Sequence, residues 1–100
     1  MYTLFVRFVW DPAKSERNLD ERGFDFAFAT PIFAGPTLEG IDTRQDYGEV
    51  RRIALGLADA ILLTVVFTDR AEAGDVVRRI ISARVSSRRE RQAYRKVFPS

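Results

Sequence analysis

The segment Ile61-Leu62-Leu63-Thr64-Val65-Val66-Phe67-Thr68 decides the fold. It is apolar on both alternating faces and rich in β-branched residues, a pattern typical of a strand buried in the middle of a sheet. The run is also far too short to cross a bilayer. We therefore expect a sheet with this segment as its central strand.

The carboxyl side of this segment predicts one more strand and a final helix. Residues 69–75 contain a glycine and predict a turn, and residues 76–84 predict the last strand. The sequence Ser87-Arg88-Arg89-Glu90 has the spacing of a capping box, in which the serine and glutamate side chains cap each other's backbone N–H groups. A C-terminal helix is predicted to follow, with an inward stripe of Ala93, Tyr94, Val97 and Phe98.

The amino side contains two stretches in which the side chains alternate between two faces. Residues 2–10 predict a half-buried strand with Leu4, Val6, Phe8 and Trp10 on one face. Residues 49–57 predict a second strand, with a turn near residues 58–59. The side chains expected on one of its faces are Glu49, Arg51, Ile53, Leu55 and Leu57. A short strand is also expected over residues 38–43, followed by a polar loop.

Helix signals fill the space between the first two strands. Asp11 and Pro12 suit the N-cap and the first helical position, and Gly23 suits the left-handed residue that ends a helix near Arg22. The next segment is ambiguous: Phe24, Phe26 and Phe28 alternate as in a strand, whereas Asp25 is suited to cap a short helix. Pro31 would limit or kink such a helix, and Gly35-Pro36 would end it.

The composition excludes several kinds of functional site. The chain has no cysteine and no histidine, so it has no disulfide, no zinc site of the usual kind and no His base beside a nucleophilic serine. Gly35 and Gly40 are isolated and form no phosphate-binding glycine loop. A magnesium site would have to use Asp42, Asp46 and Glu49, which we expect to be solvated loop carboxylates. No cofactor, no membrane segment and a cytoplasmic location are expected.

The charge is unevenly distributed. The chain has a net charge of +2, but residues 76–100 carry eight basic side chains and only Glu90 as an acid, whereas residues 1–75 are net acidic. Most of the basic residues are arginines, whose planar fork binds phosphates with two hydrogen bonds and stacks on bases. A polyanionic partner is therefore indicated.

Two arginines in the predicted strands are candidates for a site. Alternation places Arg79 on the face of Val77, Ile81 and Ala83, and it places Arg51 on that of Ile53 and Leu55. Arginine is almost never buried without a partner. Either these arginines pair with carboxylates such as Glu49 or Glu90 and close the edge of the core, or they form a phosphate-binding cleft. Structural ion pairs are common, so the first interpretation is favoured by the residues alone.

The predicted C-terminal helix contains a second candidate group. Glu90 and Tyr94 are four residues apart and share a face, and Arg91 and Arg95 have the same spacing. In one interpretation these are a cap, a core aromatic residue and a solvated basic face. In the other, the arginines follow a nucleic-acid backbone while Glu90 or Tyr94 takes part in proton transfer.

Several motifs together resemble the BrnT family of toxins. The matching segments extend in the same order from about residue 8 to residue 97. They are Phe8-Val9-Trp10-Asp11-Pro12-Ala13-Lys14, Asn18-Leu19, Gly23, Asp46-Tyr47-Gly48-Glu49-Val50-Arg51, Ala54-Leu55-Gly56, Arg79-Ile80-Ile81-Ser82-Ala83-Arg84 and Arg89-Glu90-Arg91 with Tyr94. The resemblance favours a helix for residues 25–34. The expected fold is then one α+β domain over residues 1–100, RelE-like, with an antiparallel four- to five-stranded sheet, two N-terminal helices and one C-terminal helix.

The resemblance also implies a function. It implies a ribonuclease that cleaves RNA and thereby arrests translation and growth. Because RNA carries its own nucleophile, the 2′-hydroxyl, we expect a metal-independent endoribonuclease. It further implies a BrnA-like ribbon-helix-helix antitoxin that neutralises the toxin in a hetero-oligomer and represses their shared operon. Carried over by position, the resemblance implies Arg51 and Arg79 in the functional face, with Arg84, Glu49, Glu90 and Tyr94 as further candidates. The catalytic residues expected are Arg51 and Arg79 at the scissile phosphate, Glu49 or Glu90 as the base, and Tyr94 or an arginine assisting the proton transfer. The RNA-binding residues expected from the basic strand end and helix are Arg84, Arg88, Arg91 and Arg95.

The sequence departs from the family pattern at two places. Glu21-Arg22-Gly23 stands where the family usually has Lys-His-Gly, so any role of that histidine falls to Arg22 or is absent. Pro31 interrupts the second helix. Two other functions explain the charge distribution equally well: an RNA-binding module that leaves RNA intact, and a protein-interaction subunit that binds an acidic partner.

Overall fold

A computed structural model describes residues 5–99 of the chain. The strands are β1 (Val6–Trp10), β2 (Leu38–Ile41), β3 (Arg52–Ala58), β4 (Ile61–Glu72) and β5 (Asp75–Val85). The helices are α1 (Pro12–Arg22), α2 (Phe26–Ala29) and α3 (Arg88–Val97), with a 3-10 helix over Thr30–Ala34. The predicted start of the first strand, residues 2–4, lies outside the described residues. The described residues form one α+β unit.

The five strands form a mixed sheet in the order β1-β5-β4-β3-β2. The hairpins β2–β3, β3–β4 and β4–β5 are antiparallel, but β1 pairs parallel to β5. The expectation of a purely antiparallel sheet was therefore wrong. Local patterns indicate hairpins between consecutive strands, whereas β1 reaches β5 only through the tertiary fold.

β4 is the central strand, as its sequence predicted. It is longer than expected, because it runs on to Glu72 and turns at Ala73-Gly74, where φ is 52° and 85°. The predicted turn over residues 69–75 was therefore too wide. The polar end of the hairpin is held across the strands by the ion pair between Arg78 Nε and Asp69 Oδ1 at 2.8 Å. Charged pairs of this kind let a polar segment continue as strand.

The helices between β1 and β2 begin and end at residues that the sequence indicated. Asp11 accepts a hydrogen bond from the backbone N of Ala13, and Gly23 ends α1 with φ of 84°. Asp25 accepts one from the backbone N of Phe28, so the Phe-rich segment is helical and not a strand. The arrangement nevertheless differs from two full helices. The second is a single α-helical turn that continues at once into the 3-10 helix, which Pro31 favours by lacking an N–H group.

The two faces of the sheet are covered differently. On one face the helices before β2 bury the main core, which includes Phe26, Ile32, Leu63 and Phe67. On the other face α3 covers only the end of the sheet, through a smaller cluster of Leu55, Leu62 and Tyr94 with Leu38 and Phe98. The predicted inward stripe of α3 is thus partly wrong, because Ala93 and Val97 are exposed. The rest of this second face is not covered by a helix within residues 5–99.

A β-bulge in β5 changes which side chains share a face. Val66 pairs with Ser82 but Phe67 pairs with Ile80, so Ile81 is an extra residue in the ladder. As a result Ile80 and Ala83 both lie in the main core, and Arg79, Ser82 and Arg84 lie on the opposite face. The prediction that Arg79 shares a face of the sheet with Ile81 and Ala83 was wrong. Of the residues expected on that face, only Val77 lies on the same side as Arg79.

The predicted strand over residues 49–57 begins later than expected. β3 starts at Arg52, so Glu49 and Arg51 belong to the loop that precedes it. None of the helices in residues 5–99 has the length and apolar character that a membrane crossing needs.

Candidate functional site

The part of the second face that α3 leaves uncovered is here called the open face. It is formed by Thr68, Arg79, Ser82 and Arg84, with the loop of residues 42–51 along its rim. Arg79 lies directly opposite Thr68 on the neighbouring strand. The Thr68 hydroxyl donates a hydrogen bond of 2.8 Å to the backbone oxygen of Val50, which ties the loop to the sheet.

Glu49 lies between the two arginines that the sequence singled out. Its Oε1 atom accepts a hydrogen bond of 2.7 Å from Arg79 Nη2 and lies 3.5 Å from Arg51 Nε. All three side chains are partly exposed. The structure therefore brings together three of the five residues expected to be catalytic, in the pairing that the more conservative interpretation foresaw.

Arg51 is held mainly by an aromatic ring. Its guanidinium carbon lies 3.9 Å from the centre of the Tyr47 ring, a cation–π contact. Its Nε atom is buried and has no hydrogen-bond partner among residues 5–99, since the approach to Glu49 is too long and poorly directed for a hydrogen bond. Arg51 thus has one donor, its Nε–H, without a partner in the described part of the chain.

Glu90 lies in a separate part of the face. Arg84 donates two hydrogen bonds to its carboxylate, of 2.7 and 2.9 Å, and the backbone N of Ser87 donates another. The Arg84 hydrogen bond in particular lowers the pKa of Glu90 from 4.5 to about 2. The predicted capping box is therefore confirmed, and Glu90 joins the end of β5 to the start of α3.

Tyr94 is buried and its hydroxyl is already engaged. It donates a hydrogen bond of 2.9 Å to the backbone oxygen of Pro36, and its ring packs against Phe98. Its place in the smaller core cluster puts it near the α3-covered end of the sheet. Arg84 lies opposite Thr64 on β4, whereas Arg79 lies opposite Thr68. Thr64 and Thr68 are four residues apart, so their positions along the strand differ by about 13 Å. The structure thus does not bring Glu90 and Tyr94 into contact with the Glu49 group.

The remaining basic candidates are on α3. Arg88, Arg91 and Arg95 are exposed, and no carboxylate in the described part of the chain forms an ion pair with them. Arg91 donates a hydrogen bond of 2.9 Å to the backbone oxygen of Ser86. Arg91 and Arg95 line a cavity with Leu57, Ala60 and Leu62 beside the turn between β3 and β4, so they lie at the α3-covered end of the sheet.

Two further residues bear on the expectations from sequence. Asp42, considered as a magnesium ligand, has both oxygens occupied by Arg44 and Tyr47, and within residues 5–99 no group of three acidic side chains is placed to hold a metal ion. Arg22, which stands where the family has histidine, donates hydrogen bonds to the Asn18 side chain and to the backbone oxygen of Ala83. That oxygen belongs to the part of β5 beyond the end of β1.

Sequence reasoning missed Asp42, Arg44 and Tyr47 as parts of the site. Their contacts join residues up to nine apart in a loop without regular structure, so no periodicity indicates them. The motif Asp46-Tyr47-Gly48-Glu49-Val50-Arg51 was the one signal that could have drawn attention to Tyr47.

The fold and the site define a small α+β protein with one helix-covered sheet face and one face lined by arginines around a carboxylate. Residues 10–90 match the family described as the ribonuclease toxin, BrnT, of type II toxin-antitoxin systems. The chain belongs to this family, and its partner in such a system is a protein antitoxin. No curated protein matches the sequence closely enough to count as a relative.

Proposed function

We propose that this ribonuclease toxin is an endoribonuclease whose active site is the Glu49 group on the open face. In this proposal Arg79 and Arg51 hold the scissile phosphate and Glu49 is the general base. The observation that carries it is the position of the Glu49 carboxylate, 2.7 Å from Arg79 and 3.5 Å from Arg51. Two cations that hold one carboxylate on an accessible surface have the geometry to hold one phosphate.

The unused donor of Arg51 supports this assignment. A phosphate has more acceptor oxygens than a carboxylate, so it can satisfy Arg79 and the free Nε–H of Arg51 together. A phosphate entering the site would displace Glu49 from Arg79. The displaced carboxylate then lies beside the phosphate, where a ribose 2′-hydroxyl would have to be deprotonated.

The chemistry uses RNA's own nucleophile. The carboxylate of Glu49 takes the proton of the 2′-hydroxyl, the 2′-oxygen forms a bond to phosphorus, and the bond from phosphorus to the 5′-oxygen breaks. The departing 5′-oxygen takes a proton from water. The products are a 2′,3′-cyclic phosphate and a 5′-hydroxyl end. The arginines stabilise the extra negative charge that the phosphorane carries in the transition state.

Every step uses groups of the chain, the RNA or water, so the proposal requires no metal ion and no cofactor. Cleavage is expected to continue in the presence of EDTA. Glu90 and Tyr94 are left without a chemical role in this scheme, because their polar atoms are held by Arg84, Ser87 and Pro36. We assign Arg84, Arg88, Arg91 and Arg95 to backbone contacts with the RNA strand on the α3 side of the cut.

The partner and the setting rest on the family. We propose a BrnA-like ribbon-helix-helix antitoxin that neutralises the toxin in a cytoplasmic hetero-oligomer and represses the shared operon. We also propose that the fold is RelE-like and that cleavage of RNA arrests translation and growth. Co-expression of the chain with the product of a neighbouring gene would test the first point by joint purification.

The experiment that tests the site compares Arg79→Ala with Arg52→Ala. Arg52 is also exposed, but it lies opposite Phe67 and so extends on the helix-covered side. Loss of one donor to the developing charge typically costs about 10²–10³ in rate. We expect purified Arg79→Ala to cleave RNA about a hundredfold more slowly, and its expression to leave growth unimpaired. Arg52→Ala should behave as the parent chain does.

Two results would overturn the proposal. The first is a folded Arg79→Ala variant that cleaves RNA at the parental rate, which would remove Arg79 from the site. The second is a folded parent chain that binds RNA with steep salt dependence and leaves it intact, which would identify a binding module. Circular dichroism and thermal unfolding of each variant establish that it is folded.

A further inference from the structure

The loop of residues 42–51 is folded around the carboxylate of Asp42, whose side chain is fully buried. Asp42 Oδ1 accepts hydrogen bonds from the backbone N and from Nε of Arg44, at 3.1 and 2.8 Å. Its Oδ2 atom accepts from Arg44 Nη2 at 2.7 Å and from the Tyr47 hydroxyl at 3.0 Å. A carboxylate with four donors in one short loop fixes the loop's shape.

Tyr47 connects this carboxylate to the proposed site. Its hydroxyl is held by Asp42, and the face of its ring carries the guanidinium of Arg51 at 3.9 Å. The backbone N of Asp42 also donates a hydrogen bond of 2.8 Å to the backbone oxygen of Arg51. Asp42 is thus connected to Arg51 in two ways. Its backbone N binds the Arg51 backbone, and its carboxylate holds the Tyr47 ring that contacts the guanidinium.

Arg51 has few other contacts that set its direction. Its one ion pair among residues 5–99, to Glu49, is 3.5 Å long and is not a hydrogen bond. In the proposed reaction Glu49 moves away from the arginines when the phosphate arrives, so that ion pair cannot hold Arg51 during catalysis. The Tyr47 ring is the contact that remains, since a phosphate approaches Arg51 from the side of Glu49.

Arg44 keeps Asp42 charged for this task. The hydrogen bond from the Arg44 side chain lowers the pKa of Asp42 well below its ordinary value. The acceptor for the Tyr47 hydroxyl is therefore a carboxylate at any pH at which the protein functions. Arg44 itself is mostly exposed, at 71% of its side-chain surface, so its role in the loop is to neutralise Asp42 from the solvent side.

We propose that Asp42 and Tyr47 are positioning residues that hold the Arg51 guanidinium ready for the scissile phosphate. This inference rests on the proposed function, in which Arg51 contacts that phosphate. Neither residue touches the RNA in this account. They affect cleavage only by placing Arg51, so their substitution should have no effect once Arg51 is removed. A general effect on the fold would persist without Arg51.

The test is a double-mutant cycle on RNA cleavage with Arg51→Ala, Tyr47→Ala and the double variant. We expect Arg51→Ala to lower kcat about a hundredfold and Tyr47→Ala to lower it about tenfold, the scale of a strong cation–π contact. In the double variant Tyr47→Ala should add nothing, because the group it positions is gone. Tyr47→Phe retains the ring but loses the hydrogen bond to Asp42, so its kcat should lie between those of Tyr47→Ala and the parent chain. Asp42→Asn weakens the same hydrogen bond and should lower kcat to a similar extent as Tyr47→Phe.

A second readout does not depend on activity. The Nε–H signal of Arg51 in a ¹⁵N-correlated NMR spectrum should carry the ring-current shift of Tyr47. We expect that signal to move in Tyr47→Ala and to stay close to its parental position in Tyr47→Phe.

The outcomes separate the two ideas. If Arg51→Ala cleaves RNA at the parental rate, the proposed function fails at Arg51. The positioning role is overturned, while the proposed function stands, if Arg51→Ala is impaired and Tyr47→Ala lowers kcat equally in the parent chain and in the Arg51→Ala variant. An Arg51 Nε–H signal that does not respond to Tyr47→Ala would also overturn the positioning role.

Discussion

The carboxylate of Glu49 occupies the place that a scissile phosphate would take between Arg79 and Arg51. Without RNA, this carboxylate accepts a hydrogen bond from Arg79, while Arg51 Nε lies 3.5 Å away and has no hydrogen-bond partner among residues 5–99. On binding, the carboxylate has to leave Arg79, and its negative charge opposes the incoming phosphate. In the proposed mechanism the same residue therefore weakens binding of the substrate and supplies the base.

A Glu49→Gln variant separates these two effects. Without the base we expect kcat to fall by about 10²–10⁴, whereas affinity for RNA should rise because one negative charge is removed from the site. Fluorescence anisotropy with a 2′-deoxy oligonucleotide measures the affinity, and gel analysis of RNA cuts measures kcat. Parental kcat in Glu49→Gln would mean that another group is the base.

Glu90 is held at its place by charge, and this makes its contribution dependent on pH. The Arg84 hydrogen bond lowers its pKa in the folded chain to about 2, from 4.5. A carboxyl group with a lowered pKa in the folded state stabilises the fold above its ordinary pKa and loses that effect as the pH falls toward its folded value. The α3 cap should therefore weaken between pH 4.5 and about 2.

Glu90→Gln tests this at neutral and acid pH, because Gln can still cap the helix but loses the ion pair with Arg84. At pH 7 we expect the free energy of unfolding to fall by about 0.5–1 kcal/mol, the range for a partly exposed ion pair. The difference from the parent chain should shrink as the pH drops below 4.5. Urea unfolding across this pH range measures it, with Glu16→Gln on the exposed side of α1 as the control. A difference that stays constant down to pH 2 would contradict the account.

At the scale of elements, β3 approaches the 3-10 helix at Gly56. A Cβ atom at this position would lie 2.8 Å from the Ile32 Cβ and 3.2 Å from the Ile32 backbone oxygen. Since Ile32 is fully buried in the main core, it has no room to move aside. The close approach explains a glycine in the middle of a strand.

Gly56→Ala should therefore lower the free energy of unfolding by about 1–3 kcal/mol, the usual cost of overpacking a core. Gly40→Ala is the matched control, since Gly40 is also in a strand and a Cβ there would meet nothing within 4 Å. Chemical denaturation of both variants measures the effect. Equal stability of the two variants would show that the 3-10 helix can shift without cost.

The elements differ in how far the sequence predicts them. The caps of α1 and α3 and the central strand β4 depend on neighbouring residues, and local patterns found them. The parallel pairing of β1 with β5 and the bulge at Ile81 depend on how distant segments meet. One extra residue in β5 reverses the faces of everything after it, so strict alternation put Ala83 on the side of Arg79.

The candidate site shows the same division. Arg51, Arg79 and Glu49 were indicated by their motifs and expected pairing, and the structure brings them into contact. Tyr94 shares a helix face with Glu90 in the sequence, but its hydroxyl is taken by a backbone oxygen from a distant segment. The contacts of Asp42 and Tyr47 arise in an irregular loop, which no spacing rule covers.

At the scale of the whole molecule, the uneven charge of the sequence becomes a separation in space. Within the sheet and its loops, arginines pair with Asp42, Glu49, Asp69 and Glu72 of the N-terminal part. On α3, Arg88, Arg91 and Arg95 have no ion pair within residues 5–99. The net charge of +2 thus understates the positive potential on the open-face side.

Replacing Arg88, Arg91 and Arg95 by Gln should weaken RNA binding and reduce its salt dependence. Each lost phosphate contact lowers the slope of log affinity against log salt by about 0.7 for a single strand. With RNA in excess, kcat should change little, because these residues hold the strand outside the reacting centre. Anisotropy titrations at several salt concentrations measure the slope. An unchanged slope would exclude α3 from the RNA-binding surface.

The most direct test of the central claim uses one RNA oligonucleotide and its copy with a single 2′-deoxy nucleotide on the 5′ side of the mapped cut. Both are incubated with the purified chain in EDTA, and the new ends are identified by mass. The account predicts a 2′,3′-cyclic phosphate and a 5′-hydroxyl end from the RNA, and an uncut bond at the deoxy position. Cleavage of that bond in the deoxy copy, or cleavage of the RNA only when a metal ion is added, would contradict it.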